Sequence, residues 1–240
     1  MNVIIKIEYD GTNYAGWQIQ PHKQTIQGEL EKALSQIFQE PIKVVGASRT
    51  DAGVSAMGQM SNFHISNMKF RDLPTLQKSL NAVLPEDIYV RQIKKVNDSF
   101  HARYSAKGKI YQYRILINPS PLRQRFAWVV KYNLDLLKMR SAAKLFLRNK
   151  DFSIFCKVKD KDGQVKMDSI RIKKIGDEIL ISIEANRFLY KMVRRIVGAL
   201  TDVGRRHRSL DDIKNSVKSI KHRTLMCAPA QGLILVQVKY

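Results

Sequence analysis

The chain has 240 residues, 44% of them hydrophobic, which is enough for one large domain or two small ones with a packed core. Its 42 lysines and arginines face 21 acidic residues, and this formal net charge of +21 favours a polyanionic partner, nucleic acid more than an anionic membrane surface. No apolar run approaches the roughly 18–20 residues of a membrane span, no export signal begins the chain, and Cys156 and Cys227 have neither metal-site nor disulfide spacing, so we expect a cytoplasmic protein.

The first half of the chain alternates predicted strands and helices. β-Branched residues predict a strand over residues 2–9, which Asp10-Gly11-Thr12 ends with turn chemistry. Thr25 is the predicted N-cap of a helix with one apolar face. Further strands are predicted over residues 42–47, 57–65 and 87–96, and a helix over residues 73–84.

The second half repeats this alternation. Strands are predicted over residues 109–117, 169–175, 178–185 and 233–238, with a hairpin turn at Gly176-Asp177. Helices are predicted over residues 133–148, with Leu137, Ala142, Leu145 and Phe146 for burial, over residues 188–203, with Gly204 as the stop, and from Ser209 with Asp212. Both halves mix helices with mostly antiparallel strands. This predicts an α+β fold of two related lobes, residues 1–104 and 105–240, sharing a sheet or cleft.

Residues 46–54 (GASRTDAGV) place one carboxylate, Asp51, between a predicted strand and a glycine turn. Asp-x-Gly is ordinary turn composition, so on local grounds a backbone-capping aspartate is the simpler interpretation. Two neighbours favour a functional interpretation. Arg49 is near enough to orient the carboxylate, and Gly53 lets another backbone or a ligand approach closely. Asp51 is therefore a candidate nucleophile or base.

Two tyrosines alternate on the predicted strand over residues 109–117, so Tyr111 and Tyr113 share one face. A pair of half-buried sheet aromatics is common. The basic neighbours Lys109 and Arg114 also suit a platform on which a flipped base stacks.

Arginines and a histidine supply further candidates. Arg194 lies at the edge of an apolar helical stripe, where it is either a snorkelling arginine or a buried cation that awaits a carboxylate. His101 and Arg103 stand among basic residues, which favours an RNA-facing role. The basic runs at residues 205–208 and 218–223 suit phosphate contacts or a solvated surface. The histidines have no metal-ligand spacing.

The order of these motifs resembles the TruA family of tRNA pseudouridine synthases. The matching blocks cover essentially the whole chain: Tyr9-Asp10-Gly11-Thr12 with Tyr14, Gly16, Trp17 and Gln18; Thr25-Ile26-Gln27-Gly28; Arg49-Thr50-Asp51-Ala52-Gly53-Val54; Phe100-His101-Ala102-Arg103; Tyr111 and Tyr113; Asp151-Phe152-Ser153; Asn186, Phe188 and Met192-Val193-Arg194; Arg223-Thr224; and Gly232-Leu233. Two positions depart from the family pattern. Ser48 stands where glycine is usual and Ser55 where histidine is usual, which puts any RNA or packing contact of that histidine in doubt.

The resemblance implies the pseudouridine synthase fold around a central RNA-binding cleft, a homodimer, and no cofactor or metal. It also implies conversion of uridine to pseudouridine at positions 38, 39 and 40 of the tRNA anticodon stem-loop. Carried over residue by residue, Asp51 matches the catalytic nucleophile, Arg194 the arginine that pairs with it, and Tyr111 the tyrosine that stacks on the target base and serves in proton transfer. The further residues expected to bind RNA are Arg49, His101, Arg103 and Lys109.

The implied reaction breaks the N1–C1′ bond of uridine, turns the uracil and joins C5 to C1′, with no net redox change. Asp51 would attack C1′ or the uracil ring, or stabilise a glycal-forming step. Two other classes of protein fit part of the sequence. A non-catalytic RNA-binding or RNA-chaperone protein would tolerate the loss of Asp51. A metal-dependent nuclease is disfavoured because no second and third carboxylates cluster near Asp51 in the sequence.

Overall fold

The computed structural model describes residues 1–66, 70, 72–155, 163–218 and 225–240. Cys156, residues 219–223 of the predicted basic run and Thr224 lie outside the described residues. The strands are β1 (Asn2–Tyr9), β2 (Val44–Gly46), β3 (Ser55–His64), β4 (Ile88–Val96), β5 (Gly108–Leu116), β6 (Trp128–Val129), β7 (Met167–Ile175), β8 (Glu178–Ala185) and β9 (Leu233–Lys239). The helices are α1 (Ile26–Phe38), α2 (Leu73–Val83), α3 (Leu136–Leu147), α4 (Met192–Gly204) and α5 (Leu210–Lys218).

The chain divides into two compact units, each with its own strands and helices. Unit 1 comprises Met1–Lys107 and Ile234–Tyr240, and unit 2 comprises Gly108–Leu233. The end of the chain returns to unit 1 because β9 pairs with β3. The predicted α+β class is confirmed, and so is the predominance of antiparallel strand pairs.

Unit 1 contains an antiparallel sheet in the order β4-β1-β3, and β3 also pairs antiparallel with β2 and parallel with β9. Alternate residues of β1, namely Val3, Ile5 and Ile7, are fully buried, as the period of two along a strand requires. The predicted start of α1 is confirmed. The Thr25 hydroxyl accepts the N–H of Gly28 at 3.3 Å and so caps the helix.

Unit 2 contains an antiparallel sheet in the order β7-β8-β5, with the short β6 parallel to β5. The predicted hairpin is confirmed, and Gly176 in its turn has a φ of +59°, which glycine adopts without steric cost. The predicted start of α5 is a reciprocal capping box. The Ser209 N–H donates to Asp212 Oδ2 at 2.8 Å, and the Asp212 N–H donates to Ser209 Oγ at 3.0 Å.

The limits of α4 differ from the prediction at both ends. The helix begins at Met192 rather than at residue 188, because Lys191 has a left-handed backbone (φ +59°) that a continuous helix does not contain. Gly204 is the last helical residue rather than the stop. A Cβ at Gly204 would lie 2.8 Å from Met139 of α3, so glycine lets the two helices pack closely.

The buried face of α3 also differs from the prediction. Leu137 is 74% exposed, whereas Ala142 and Phe146 are buried and Leu145 is partly buried. The buried stripe runs through Met139, Ala142, Ala143 and Phe146, at helical spacings of three, four and seven residues. Leu137 precedes this stripe by two residues and therefore points away from it.

Candidate functional site

Asp51 lies in unit 1, on the loop between β2 and β3. Its carbonyl accepts the N–H of Val54 at 3.1 Å, so the carboxylate stands at the start of a tight turn in which Gly53 has a φ of +77°. Thr50 is buried, Asp51 is half-buried and Arg49 is exposed. The loop therefore anchors its backbone inside the unit while the Asp51 side chain stays partly accessible. The role of Arg49 in orienting the carboxylate remains a prediction.

The segment of residues 9–17, which begins at the last residue of β1, holds the Asp51 loop by its backbone. The N–H of Trp17 donates to the carbonyl of Thr50 at 3.1 Å, and the N–H of Gly53 donates to the carbonyl of Tyr14 at 3.4 Å. These bonds fasten the loop on both sides of the carboxylate. The segment of residues 9–17 and the Asp51 loop, which are separate in the sequence, are thus hydrogen-bonded to each other.

Two glycines permit this contact. A Cβ at Gly11 would lie 2.1 Å from the carbonyl oxygen of Val54, and a Cβ at Gly16 would lie 2.6 Å from that of Thr50. Gly16 also has a φ of +97°, which residues with a side chain rarely adopt. Any larger residue at either position would push the segment away from the Asp51 loop.

The two serines that depart from the family pattern both lie beside this loop. The buried Gln59 side chain holds the backbone of Ser48: its Oε1 accepts the Ser48 N–H at 3.2 Å and its Nε2 donates to the Ser48 carbonyl at 2.8 Å. The buried Ser55 hydroxyl accepts the N–H of Gly11 at 3.0 Å. Ser55 therefore has a packing role inside unit 1.

Tyr14 ties the same segment to Asp87, the residue that precedes β4. Its hydroxyl donates to the carboxylate of Asp87, and the N–H of Asp10 donates to the Asp87 carbonyl at 3.0 Å. Burial raises the pKa of the Tyr14 hydroxyl well above its usual range, and the bond to Asp87 raises it further. The tyrosine therefore stays a neutral donor at physiological pH.

The two tyrosines of β5 lie in unit 2, and both rings are buried. Their shared face is confirmed because they stand two residues apart in the regular ladder with β8. The Tyr113 hydroxyl donates to the carbonyl of Pro229 at 2.7 Å, and burial raises the pKa of that hydroxyl well above its usual range. The Tyr111 ring instead meets Phe188 edge to face, with 5.0 Å between the ring centroids. The two rings thus have different surroundings on one face of the strand.

Arg194 lies in the first turn of α4 and is half-buried. Its Nε donates to the carbonyl of Ala228 at 2.7 Å, and its own carbonyl accepts the Ala228 N–H at 3.1 Å. This double contact holds both the backbone and the guanidinium of Arg194. Its charge is close enough to Tyr113 to offset part of the rise in that tyrosine's pKa.

The segment of residues 226–229 is the element of unit 2 that sequence reasoning missed. It contacts both α4 and β5, through Arg194 and Tyr113. Gly198 allows the approach, because a Cβ there would lie 1.9 Å from the carbonyl oxygen of Met226. The segment acts through its backbone carbonyls, so its side chains carry no signal of this role.

The other predicted RNA-binding residues lie at separate places. Lys109 is on β5 in unit 2 and is buried, paired in register with Ala185. His101 and Arg103 are in unit 1, on the turn that follows β4, where His101 is half-buried and Arg103 is exposed. Unit 1 therefore contains Arg49, Asp51, His101 and Arg103, and unit 2 contains Lys109, Tyr111 and Arg194.

Part of the basic run at residues 205–208 has a structural role. Asp202 of α4 is buried, and it pairs with Arg205 at 2.6 Å and with Arg208 at 3.5 Å. A buried carboxylate is costly unless it is paired and hydrogen-bonded. These two arginines supply that pairing at the C-terminus of α4, and Arg206 between them has a largely exposed side chain.

Three further observations concern membrane-spanning helices, metal-binding clusters and the cysteine at position 227. Among the described residues, no helix is long and apolar enough to cross a membrane. Within the same part of the chain, no three histidine, cysteine or acidic side chains cluster in a way that could hold a metal ion. Cys227 is a free thiol and is half-buried.

Comparisons with known proteins agree with the motifs. A family model described as tRNA pseudouridine synthase matches residues 5–105 and 142–240. A protein of Thermoanaerobacter sp. (strain X514) named tRNA pseudouridine synthase A is 44% identical over 100% of this chain and 99% of its own length. Proteins of Clostridium tetani (tRNA pseudouridine synthase A 2) and Exiguobacterium sp. (tRNA pseudouridine synthase A) are 39% and 37% identical, over 100% and 98% of this chain and 98% and 96% of their own lengths.

Proposed function

The chain belongs to the tRNA pseudouridine synthase family, and from this premise we propose that it isomerises uridine to pseudouridine at positions 38, 39 and 40 of the tRNA anticodon stem-loop with Asp51 as the nucleophile. The observation that carries the proposal is the half-buried Asp51 carboxylate on a loop held on both sides through its backbone. A nucleophile must be held in one geometry to react efficiently. The segment of residues 9–17 and Gln59 supply that restraint.

The reaction needs no external oxidant or reductant. The N1–C1′ bond breaks, the C5–C1′ bond forms, a proton leaves C5 and N1 gains one, so atoms and electrons balance within the uridine. The target base must first leave its stack, at a cost of a few kcal/mol. Contacts of basic side chains with phosphates and stacking on an aromatic ring offset that cost.

Tyr111 and Arg194 complete the proposed catalytic set. Tyr111 stands at the position that matches the base-stacking tyrosine of the family, which supports it as the tyrosine that meets the base and takes part in proton transfer. Arg194 is proposed to pair with Asp51 and keep it aimed at the substrate. Its fixed guanidinium, bound through Nε to the Ala228 carbonyl, supports such a positioning role. Arg49, His101, Arg103 and Lys109 are proposed RNA contacts.

The decisive experiment replaces Asp51 by asparagine, which keeps the size of the side chain but removes its charge and nucleophilic oxygen. We expect Asp51→Asn to fold and bind an unmodified tRNA transcript as the parent does, and to form no pseudouridine there. Mapping pseudouridines before and after incubation measures this. Asp211→Asn, on the exposed first turn of α5, is the matched control and should keep full activity.

The two alternative classes give different results in the same assay. Pseudouridine formation by Asp51→Asn at the parental rate would contradict the assignment of Asp51 as the nucleophile. A parent protein that binds the transcript but forms no pseudouridine would be the RNA-binding module instead. Cleavage of the transcript that EDTA abolishes would indicate a metal-dependent nuclease.

We also propose that the enzyme works as a homodimer in the cytoplasm, as the resemblance implies. The chain has a mass of 27.6 kDa. Sedimentation equilibrium should therefore return about twice that mass at micromolar concentrations. A mass that stays at that of one chain as the concentration rises would contradict the dimer.

A further inference from the structure

The turn of residues 101–104, which follows β4 in unit 1, presents one aromatic ring to solvent. Tyr104 is 78% exposed. Burial of an aromatic ring stabilises a protein, so a ring left in solvent is available to a ligand. Exposed cations stand near it: Arg103 is adjacent, and Lys107 is three residues away, at most about 11 Å along an extended chain. Between the end of β4 and this turn lies one acidic residue, Asp98. Its Oδ1 accepts the N–H of Asn2.

The Tyr104 ring is held in place by its neighbours. The His101 imidazole lies 4.3 Å from it between ring centroids, at an interplanar angle of 33°, and the Arg103 guanidinium lies 5.8 Å from the ring centroid. His101 Nδ1 accepts the N–H groups of Arg103 and Tyr104 at 3.2 and 3.3 Å. A ring that is already oriented loses little freedom when a ligand stacks on it.

A buried network fixes the backbone of the turn. Asn62 of β3 accepts the N–H of Ala102 at 2.8 Å, and the Tyr240 hydroxyl donates to the Ala102 carbonyl at 2.9 Å. Asn62 also donates to the Asn2 side chain at 3.0 Å, and Asn2 donates to the Phe100 carbonyl at 2.8 Å. The exposed ring therefore stands on a turn whose backbone is held by side chains of β1, β3 and the end of the chain.

The turn is remote from the Asp51 loop within the same unit. Ser55 begins β3 next to that loop, and Asn62 lies seven residues further along the strand. At about 3.3 Å per residue, this separation is about 23 Å. A base on Tyr104 is therefore a different base from the one that reacts at Asp51.

We propose that Tyr104 is a stacking platform for a second, unpaired nucleobase of the RNA substrate, held in orientation by His101 and flanked by the phosphate-binding cation Arg103. Aromatic rings beside basic side chains are the usual means by which proteins bind unpaired bases. The inference rests on the proposed function in that the substrate is an RNA. It assigns to Tyr104 a contribution to RNA affinity and none to the chemical step.

Tyr89 of β4 offers a matched comparison. It is 46% exposed, and the Arg91 guanidinium lies 4.8 Å from its ring centroid. The charge of Arg91, however, is paired with Glu8 at 2.6 Å. A carboxylate at that place repels RNA phosphates, so Tyr89 should not bind RNA although it resembles Tyr104 in residue type and partner.

The test measures the affinity of the full-length protein for an unmodified tRNA transcript by filter binding over a series of salt concentrations. Tyr104→Ala should weaken binding by about five-fold to a hundred-fold, Tyr104→Phe by less than about two-fold, and Tyr89→Ala should bind as the parent does. Tyr104→Ala should keep the salt dependence of binding, because the lost contact is uncharged. Arg103→Ala should instead reduce the slope of log K against log salt by about one.

Thermal unfolding of Tyr104→Ala should match the parent, because the side chain is exposed. Parental affinity in Tyr104→Ala would overturn the proposal. So would a change in the sedimentation of the RNA-free variant, which would make Tyr104 a contact between protein chains. If the parent forms no pseudouridine, the proposed function fails, while a binding defect of Tyr104→Ala would still support the stacking site.

Discussion

At the scale of single residues, the surroundings of Asp51 depend on buried polar groups that find partners. Ser55 accepts the Gly11 N–H, and Gln59 satisfies both backbone groups of Ser48. The sequence marks Ser48 and Ser55 only as departures from a family pattern. The Ser48 backbone bonds to the side chain of Gln59, and the Ser55 hydroxyl bonds to the backbone of Gly11 in a distant part of the chain. A pattern of residue types does not reveal such pairings.

Ser55→Ala should destabilise the protein. The change leaves the buried Gly11 N–H without its acceptor, and an unsatisfied buried donor costs about 1–3 kcal/mol. Urea unfolding measures the loss, and pseudouridine formation should fall as well, because the segment of residues 9–17 restrains the Asp51 loop. Ser141→Ala, at an exposed position of α3, is the control and should leave the free energy of unfolding nearly unchanged. Parental stability in Ser55→Ala would show that the bond contributes nothing.

At the scale of elements, the local sequence patterns predict the strands and helices well, but they do not predict which residues pack against them. The alternation of β5 correctly places Tyr111 and Tyr113 on one face. Only the packing of unit 2 decides that the Tyr111 ring contacts Phe188 and that the Tyr113 hydroxyl donates to the Pro229 carbonyl. The apolar period correctly predicts the body of α4. Its start moves to Met192 because Lys191 is left-handed, and periodicity carries no information about a single backbone angle.

Tyr113→Phe should change how stability depends on pH. Burial raises the pKa of Tyr113 in the folded protein, whereas an unfolded tyrosine ionises near pH 10. The folded state therefore keeps a proton that the unfolded state releases, so the contribution of Tyr113 is fully present below about pH 10 and is lost as the pH rises above it.

Urea unfolding at several pH values measures this effect. Below pH 10 the parent should be more stable than Tyr113→Phe by about 1 kcal/mol, the net worth of the hydrogen bond to Pro229. Above pH 10 this advantage should shrink by about 1.4 kcal/mol per pH unit. Parallel pH profiles for the two proteins would contradict the assignment.

At the scale of the whole molecule, the net charge of +21 is the dominant property. Two of the 42 basic residues, Arg205 and Arg208, pair with the buried Asp202. Exposed cations such as Arg49 and Arg103 in unit 1 belong to the remainder. Such an excess binds a polyanion by releasing its counterions, and that makes affinity depend steeply on salt.

The affinity for tRNA should therefore fall by about a thousand-fold between about 50 and 200 mM salt, as expected for about six neutralised phosphates. Filter binding with an unmodified transcript measures the slope. The rate of a single turnover at saturating protein should change little, because Asp51 acts after binding. A fall in affinity of less than about ten-fold would mean that the net charge serves another purpose.

The sequence by itself determined the class of the fold, most of the strands and helices, the polyanionic partner and the candidate nucleophile. These depend on the periodicity of apolar residues, on turn residues, on net charge and on the order of motifs, and each of these follows from the residue types along the chain. Only the tertiary structure decided that β9 returns to β3, that the segment of residues 9–17 holds the Asp51 loop, and that Ala228 and Pro229 hold Arg194 and Tyr113. The reason is physical: these contacts join residues distant in sequence, largely through backbone N–H and carbonyl groups that every residue type shares.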